Sequence, residues 1–344
     1  MIKQLETAEF LNSFQENVLI DVRSEAEYQQ GHIPAAVNIP ILNDEHRKLV
    51  GLCYKQKGRE EAVKLGFELV GPLFSILIEK VSTIALQKKL SIYCWRGGMR
   101  SNIMAWVLNL SGFKINLLKG GYKKYRKLML ETLERNDFEM IILGGRTGSG
   151  KTEILNELSC CGHQVVDLEG YAHHKGSAFG GLGQLPQPTQ EQFENFIAHR
   201  LYYFDKSKPV FFENESRLIG KRHLPNTLYD SMRAAKVIEI QLSMNERIKR
   251  ILKEYGHFSS DELCFHTRRI EKRLGNLRMR NAIEAIENNN LETWVKIMIS
   301  YYDDLYEHSN SQRSKETIFQ ISIDVFNKSE ISNTIQYNYL QRLI

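Results

Sequence analysis

The first third of the chain alternates short apolar runs with one helix-like stripe. Residues 18–20 and 90–93 are brief apolar runs, which is typical of strands buried in a parallel sheet. Residues 101–110 carry apolar side chains at helical spacing, and Gly112 follows the stripe. A third apolar run covers 115–118. The order strand, helix, strand predicts an α/β domain with a parallel sheet.

A charged stretch at 131–139 separates this pattern from a second series of elements. We therefore expect a first domain over 1–135 and a second over 138–344. Apolar runs predict strands in the second domain at 140–143, 164–166, 209–212, 237–242 and 317–323. Helical patterns cover 153–158, 191–204, 245–255 and 281–308. The second domain is thus also predicted as α/β, with a helical portion at about 245–310.

Composition supports an ordinary folded protein. The chain has 344 residues, of which 42% are hydrophobic. From the usual length of a domain, a chain of this length is expected to form about two domains. No run approaches 18 apolar residues, so we expect no membrane-spanning helix. The five cysteines are an odd number in a long chain and do not indicate a disulfide framework. Because the first residues also lack the pattern of a signal peptide, we expect a cytoplasmic protein.

The formal net charge is +5, a mild basic bias that is compatible with a nucleic-acid partner. Basic residues are concentrated between 247 and 280, and a second cluster at 119–127 is interleaved with tyrosines. Either cluster could instead be a solvated surface. The candidate RNA-binding residues are Lys123, Lys124, Arg268, Arg269, Lys272 and Arg273.

A cysteine stands between a predicted strand and a predicted helix, at the end of a parallel strand where α/β sheets bind ligands. Gly97 and Gly98 allow backbone N–H groups to converge on one point, which the helix N-terminus also faces. These dipoles and Arg100 favour the nucleophilic thiolate of Cys94. Cys94 and Arg100 are the catalytic candidates; a buried structural cysteine is the alternative. The intervening loop comprises Trp95, Arg96, Gly97, Gly98 and Met99.

A second anion site is predicted at 145–152, which fits the phosphate-binding pattern G-x-x-x-x-G-K-[ST] after a strand and before a helix. Backbone N–H groups would cradle a di- or triphosphate, Lys151 would reach its outer phosphates, and Thr152 could bind Mg²⁺. The binding residues are Gly145, Gly148, Ser149, Gly150, Lys151 and Thr152.

Acidic residues at strand ends are candidates for positioning Mg²⁺ or water beside that loop. They are Asp167, Glu213 and Glu215, each of which could instead be a solvated acid at the end of a strand. The segment 169–180 is either a substrate loop or an ordinary glycine-rich connection. We do not interpret His173 and His174 as a metal site, and no metal ligand set is evident.

The first domain resembles the rhodanese family. The segments 21–28 (DVRSEAEY) and 31–40 (GHIPAAVNIP) are similar to its N-terminal motif, and the cysteine loop and 118–121 follow in the expected order. Simple sulfurtransferases of the family usually place four residues between Cys and Arg, whereas this chain has five, from Trp95 to Met99. The longer loop resembles the phosphatase branch, which implies a phosphate-sized anion or a chalcogenophosphate.

From about Asp21 to Tyr306 the chain resembles the bacterial tRNA 2-selenouridine synthase family. The similar segments are 93–101, 120–126, 144–152, 167–170, 176–180, 213–217, 272–275 and 301–303. The resemblance implies that wobble 2-thiouridine is S-geranylated from geranyl diphosphate and that selenophosphate then replaces the sulfur. It implies tRNA, bound at its anticodon region, as partner, both small molecules as substrates, possible Mg²⁺, and no tightly bound cofactor.

Two other functions remain open on the sequence. A P-loop phosphotransferase carrying a rhodanese-like phosphatase or sulfurtransferase module would turn over ATP without tRNA. A nucleotide-gated scaffold would use its first domain only for binding, but a binding module needs no thiol in its anion loop.

Overall fold

The computed structural model describes residues 1–135, 137–310, 313 and 315–337. Its strands in chain order are β1 (Ile2–Leu5), β2 (Val18–Asp21), β3 (Val37–Asn38), β4 (Lys89–Tyr93), β5 (Lys114–Leu118), β6 (Met140–Gly145), β7 (Gln164–Val166), β8 (Val210–Glu213), β9 (Leu218–Ile219), β10 (Arg222–His223), β11 (Lys236–Leu242) and β12 (Ile318–Ile323).

The α-helices are also numbered in chain order. They are α1 (Thr7–Ser13), α2 (Glu25–Gln30), α3 (Asp44–Lys57), α4 (Arg59–Val70), α5 (Phe74–Ile84), α6 (Met99–Leu110), α7 (Gly121–Arg135), α8 (Lys151–Cys160), α9 (Leu168–Ala172), α10 (Gln190–Tyr202), α11 (Asn226–Ala234), α12 (Met244–Tyr255), α13 (Ser260–Arg268), α14 (Glu271–Leu274), α15 (Asn276–Glu287), α16 (Leu291–Asn310) and α17 (Lys328–Ile335).

The chain forms two compact units, and each is built from segments that are not contiguous in the sequence. The first comprises residues 1–132 with 189–202, and the second comprises 133–188 with the chain from 203 onward. Helix α10 therefore belongs to the first unit, although we expected 138–344 to form one continuous domain. This helix is held by hydrogen bonds from the Asn195 side-chain amide to the hydroxyl of Tyr122 (2.7 Å) and from the backbone N–H of His32 to the side-chain oxygen Oε1 of Gln192 (2.7 Å).

The first unit is built on a parallel five-stranded sheet in the order β1-β5-β4-β2-β3. Strand β4 is central and is buried after its first residue, which is typical of strands in a parallel sheet. The hydrophobic core includes Ile20, Ile92, Leu108 and Ile115. The sequence thus predicted the parallel α/β fold of this unit and its strands β2, β4 and β5, but it did not predict β1, β3 or α3, the last of which has no fully buried residue.

The second unit has a parallel five-stranded sheet in the order β12-β11-β6-β8-β7. All six residues of the central strand β6 are buried, and the phosphate-binding loop begins at its carboxyl end. A separate hydrophobic cluster, which includes Phe179, Leu263, Ile286, Trp294 and Ile299, joins helices α12 to α16. This confirms the predicted P-loop α/β fold with a helical C-terminal portion.

The single helix predicted at 281–308 is wrong, because the structure has two helices, α15 and α16, in that region. The break falls on Asn288–Asn290. Asn289 adopts a left-handed backbone conformation with φ of 55°, which asparagine tolerates better than most residues. The side chain of Asn290 then accepts a hydrogen bond from the N–H of Thr293 (3.2 Å) at the start of α16. No helix among the described residues is long and apolar enough to cross a membrane.

Candidate functional site

The cysteine loop of the first unit connects the end of β4 to the start of α6. Gly97 has a φ of +65°, and a Cβ atom there would lie 2.7 Å from the carbonyl oxygen of Leu118. A Cβ atom at Gly121 would lie 2.3 Å from the carbonyl oxygen of Cys94. Both positions therefore require glycine, because the segment after β5 packs directly against the loop backbone.

The loop presents unpaired backbone donors. Within the described part of the chain, the N–H groups of Arg96, Gly97 and Gly98 donate to no backbone carbonyl. Gly98 directly precedes α6, so the positive end of the helix dipole adds to these donors. This arrangement has the features of an anion-binding loop.

The thiol of Cys94 lies at the base of this loop and is nearly buried. The residue is 3% exposed, and its Sγ lies 3.2 Å from the hydroxyl oxygen of Ser101. Ser101 in turn donates to the carbonyl of Gly98 (3.1 Å). Cys94 also belongs to the main hydrophobic cluster of this unit. A reacting group must therefore approach the thiol through the loop or through the apolar side chains beside it.

The side chain of Arg100 is paired with a carboxylate. Its guanidinium donates to Glu27 at 2.5 and 3.2 Å, and Arg47 contacts the same carboxylate at 3.0 Å. Although burial opposes ionisation of Glu27, the hydrogen bonds from Arg100 lower its pKa. The positive charge of Arg100 is thus shared with a carboxylate that sequence reasoning had not assigned to the site. Arg96 is exposed at the rim of the loop.

A buried ion pair and three aromatic rings support the cysteine loop. Arg23 contacts Asp21 through Nη2 (2.6 Å), and both side chains are almost fully buried. The Arg23 guanidinium lies 4.0 Å from the ring centre of Tyr122, and the rings of Tyr93 and Trp95 lie within 6 Å of it. Burial raises the pKa of the Tyr93 and Tyr122 hydroxyls. The backbone N–H of Tyr122 donates to the carbonyl of Cys94 (2.9 Å), so this aromatic cluster fixes the start of the loop.

The phosphate-binding loop of the second unit has the predicted backbone. Gly145, Gly148 and Gly150 all have positive φ, at 147°, 82° and 82°. Lys151 Nζ donates to the carbonyl of Gly145 (3.0 Å), which places its ammonium group across the loop. The hydroxyl of Ser149 is buried without a hydrogen-bond partner among the described residues. Such a loop binds polyphosphates through backbone N–H groups and the lysine.

Residues of α12 and α16 brace this loop from outside it. Arg247 donates to the carbonyl of Thr147 (2.8 Å) and forms a buried ion pair with Asp303 (2.5 Å). Arg250 donates to the carbonyl of Gly148 (3.1 Å). Both arginines belong to the basic segment that begins at residue 247, but their side chains form hydrogen bonds to the phosphate-binding loop. Their role was not visible in the sequence because they lie about 100 residues from it.

The acidic candidates divide into two groups. Glu213 and Glu215 lie close to Glu169, whose charge raises the pKa of both, and Thr152 donates to Glu169 (3.2 Å). Asp167 instead uses a side-chain oxygen to accept the N–H of Gly170 (2.8 Å), which caps α9. Sequence reasoning did not name Glu169 among the acidic candidates, although it lies three residues beyond the end of β7 and opens the segment 169–180.

Burial and mutual repulsion alter the ionisation of these glutamates. Burial, followed by the charge of Glu169, raises the pKa of Glu215 to about 8 and that of Glu213 well above its usual range. Glu213 accepts the N–H of Leu168 (2.8 Å) with one oxygen, whereas its other oxygen is buried without a partner among the described residues. Burial also raises the pKa of Glu169, against the effect of Lys151. Burial therefore favours the protonated forms of Glu213 and Glu215.

The side-chain oxygens beside the phosphate-binding loop suit one magnesium ion only if a bound ligand supplies further oxygens. No group of three His, Cys, Asp or Glu side chains within the described residues is arranged to hold a metal. Mg²⁺ beside bound phosphates commonly uses one or two protein oxygens, with phosphate and water completing its octahedron. Thr152 and Glu169 lie at hydrogen-bond distance from each other and fit that requirement.

The segment 169–180 is anchored rather than loose. Phe179 is buried in the cluster of helices α12 to α16, and the N–H of Ala178 donates to the hydroxyl of Tyr302 (3.1 Å). A Cβ atom at Gly176 would lie 2.5 Å from a carboxylate oxygen of Glu215. The segment thus passes directly beside the acidic group while its end is fixed in the helical cluster.

The candidate RNA-binding residues differ in their availability. Arg268, Arg269, Lys272 and Arg273 are exposed on α13, on α14 and between them, and no ion pair holds them within the described chain. Lys123 is exposed on α7. Lys124 is paired with Glu6, which also contacts Lys119 at 2.6 Å. The cluster at 119–127 is therefore partly neutralised, whereas the one on α13 and α14 keeps its charge.

Together, these features define a class of protein in which a rhodanese-like domain precedes a P-loop domain. The family model for the rhodanese-like domain matches residues 6–128, and the model for the tRNA 2-selenouridine synthase AAA domain matches 138–334. The chain belongs to the tRNA 2-selenouridine synthase family, whose members are enzymes of tRNA modification.

Individual relatives match over nearly the whole chain. A tRNA 2-selenouridine synthase of Marinobacter nauticus is 35% identical over 97% of this chain and all of its own. Another, from Shewanella halifaxensis, is 35% identical over 88% of this chain and 91% of its own. A crystal structure of the N-terminal domain of a Clostridium difficile 630 protein covers 37% of this chain and 99% of its own, at 33% identity and a TM-score of 0.35.

Proposed function

We propose that this protein is a cytoplasmic enzyme that converts wobble 2-thiouridine of tRNA to 2-selenouridine through an S-geranylated intermediate. Family membership supports the overall reaction. The observation that carries the two-step route is that the chain holds two different anion loops, one with the thiol of Cys94 and one with Lys151. Two loops of this kind suit two anionic co-substrates, selenophosphate and geranyl diphosphate.

In the first step, the sulfur of 2-thiouridine attacks C1 of geranyl diphosphate. The S–C1 bond forms, the C1–O bond breaks, diphosphate leaves with the electron pair, and N3 of the alkylated base releases its proton to water. The phosphate-binding loop and Lys151 stabilise the negative charge of the leaving diphosphate. Thr152 and Glu169 would hold Mg²⁺, which neutralises further charge on those oxygens when it is bound.

In the second step, selenophosphate sits in the cysteine loop and its selenium attacks C2 of the alkylated base. The C2–Se bond forms, the C2–S bond breaks, and geranylthiol leaves after taking a proton. Water then cleaves the P–Se bond and releases phosphate. The free N–H groups of Arg96, Gly97 and Gly98 bind the anion, and Cys94 lies at the base of the loop to orient the selenium donor.

Mass spectrometry of tRNA nucleosides tests both assignments in a deletion strain that carries wild type, Cys94→Ala or Lys151→Ala. We expect Cys94→Ala to accumulate geranylated thiouridine without selenouridine, and Lys151→Ala to yield neither product. Cys160→Ala, an exposed cysteine elsewhere, is the matched control and should behave as wild type. Selenouridine from Cys94→Ala would refute the selenium role, and geranylated nucleoside from Lys151→Ala would refute the diphosphate role. ATP turnover without tRNA would instead favour a phosphotransferase.

A further inference from the structure

An apolar cavity of about 550 Å³ opens in the first unit between α3, α4 and the start of α6. Its volume lies in the range of small-molecule sites. Apolar side chains of Val50, Val63, Phe67 and Met99 line much of it. Phe67 and Met99 are 47% and 44% exposed, so large apolar surfaces face the open cavity. The catalytic steps described above leave this cavity without a role.

The cavity lies beside the cysteine loop. Met99, the last residue of the long cysteine loop, and Arg100 both line it. Ile41 and Val70 also line it, and they belong to the same hydrophobic cluster as Cys94. An apolar group seated there would therefore lie beside the loop in which selenium is transferred.

Positive charge surrounds this apolar space. Arg47, Arg59 and Arg100 contribute to its lining. The carboxylate of Glu27 contacts Arg47 and Arg100, while Arg59 is exposed and no ion pair holds it in the described chain. An apolar chamber with a cationic rim suits a ligand whose hydrocarbon chain is joined to a phosphate-bearing group.

We propose that this cavity binds the ten-carbon isoprenoid chain of the S-alkylated tRNA nucleotide, while the arginines at its rim contact the nucleotide's phosphates. The inference rests on the proposed function, because that function generates an alkylated intermediate that must be presented to the cysteine loop. Burying the hydrocarbon chain distinguishes the alkylated base from unmodified thiouridine. It also holds the C2–S bond beside the selenium donor and receives geranylthiol when that bond breaks.

Gly66 offers a way to fill the cavity without damaging the fold. It lies within α4, lines the cavity, and has no atom within 4 Å of an added Cβ. Leucine favours helix more than glycine does, so Gly66→Leu should fold. Gly66→Ala adds little volume at the same position and serves as the matched control.

The two half-reactions are measured separately on an anticodon stem-loop RNA. With an S-geranyl-2-thiouridine RNA and selenophosphate, we expect Gly66→Leu to raise KM at least tenfold, while Gly66→Ala stays within twofold of wild type. With a 2-thiouridine RNA and geranyl diphosphate, both variants should geranylate at the wild-type rate. In a binding assay, wild type should prefer the S-geranyl RNA over an S-methyl RNA, and Gly66→Leu should lose that preference.

The outcomes separate this inference from the function on which it rests. If wild type does not selenate the S-geranyl RNA at all, the proposed function fails. If wild type does so and Gly66→Leu performs equally well, the cavity does not hold the chain. Equal loss of both half-reactions, or equal loss of binding to the S-methyl and S-geranyl RNAs, would also overturn the inference, since the cavity would then serve the donor, the RNA or another partner.

Discussion

At the scale of single residues, the glutamates beside the phosphate-binding loop hold their protons more tightly than glutamates in water do. Glu215 carries a raised pKa because it is buried close to Glu169. Lys151 lowers the pKa of both groups but does not offset their burial. Charge counted from the sequence therefore overstates the negative charge of this cluster at neutral pH.

This predicts a pH dependence of stability. Folded Glu215 keeps its proton up to about pH 8, whereas the unfolded chain releases it near pH 4.5. Between these values the folded state binds more protons, so Glu215 alone makes the free energy of unfolding fall as pH rises, by at most about 1.4 kcal/mol per pH unit. Glu215→Gln should flatten this fall in urea denaturation between pH 5 and 8.5.

The control for this prediction is Glu284→Gln, which changes an exposed carboxylate of the same unit. It should retain the wild-type slope. If Glu215→Gln and wild type lose stability in parallel over this range, Glu215 does not hold the proton.

Some residues of the site could be identified from the sequence because they belong to a local pattern, whereas others could not. Lys151 and Thr152 stand at fixed offsets from glycines whose backbone conformation defines the loop, so a local pattern was sufficient. Glu169 and Arg247 reach the loop through tertiary packing, and nothing local marks them. The pairing of Arg100 with Glu27 spans 73 positions and was equally invisible.

At the scale of elements, α10 shows what periodicity can and cannot predict. Its apolar spacing predicted a helix close to the observed Gln190–Tyr202. The spacing does not say which sheet the helix covers, because an apolar face fits either unit. Its assignment depends on polar contacts, chiefly those that Glu191 and Asn195 make with the hydroxyl of Tyr122.

Removing that hydroxyl tests the attachment of α10. Tyr122→Phe deletes a group that donates to Glu191 (2.6 Å) and accepts from the buried Asn195 (2.7 Å). We expect a loss of about 1–3 kcal/mol, since the buried Asn195 amide then keeps only the carbonyl of His32 as an acceptor. Guanidinium denaturation followed by circular dichroism measures this loss. Tyr54→Phe, at a tyrosine 59% exposed in the same unit, should change stability little, and an equal shift for both variants would contradict the assignment.

At the scale of the whole molecule, two sheets each present an anion loop at the carboxyl end of a central strand. The sequence predicted both loops because each is a strand-to-helix connection with local glycine signals. It did not predict the division of the chain into units, since the return of α10 depends on hydrogen bonds between residues about 70 positions apart.

The basic surface of α13 and α14 should contribute to tRNA affinity mainly through phosphates. A variant in which Arg268, Arg269, Lys272 and Arg273 all become Gln should bind tRNA more weakly. The slope of log affinity against log salt should shrink by about 0.7–0.9 for each phosphate that the variant no longer neutralises. Filter binding at several salt concentrations measures that slope.

A double variant with Lys3→Gln and Lys80→Gln removes exposed charge from the other unit and should leave the slope nearly unchanged. If the fourfold variant keeps both the affinity and the slope of wild type, this surface does not bind RNA.

The route of the chain through its two units also bears on synthesis by the ribosome. The first unit receives its last helix only after residues 133–188, including the whole phosphate-binding loop, have been translated. Until then the nascent chain leaves the surface around Tyr122 without its hydrogen-bonding partners on α10. The first unit therefore cannot be completed until part of the second has been translated, and during that interval the partly formed first unit exposes a surface that α10 later covers.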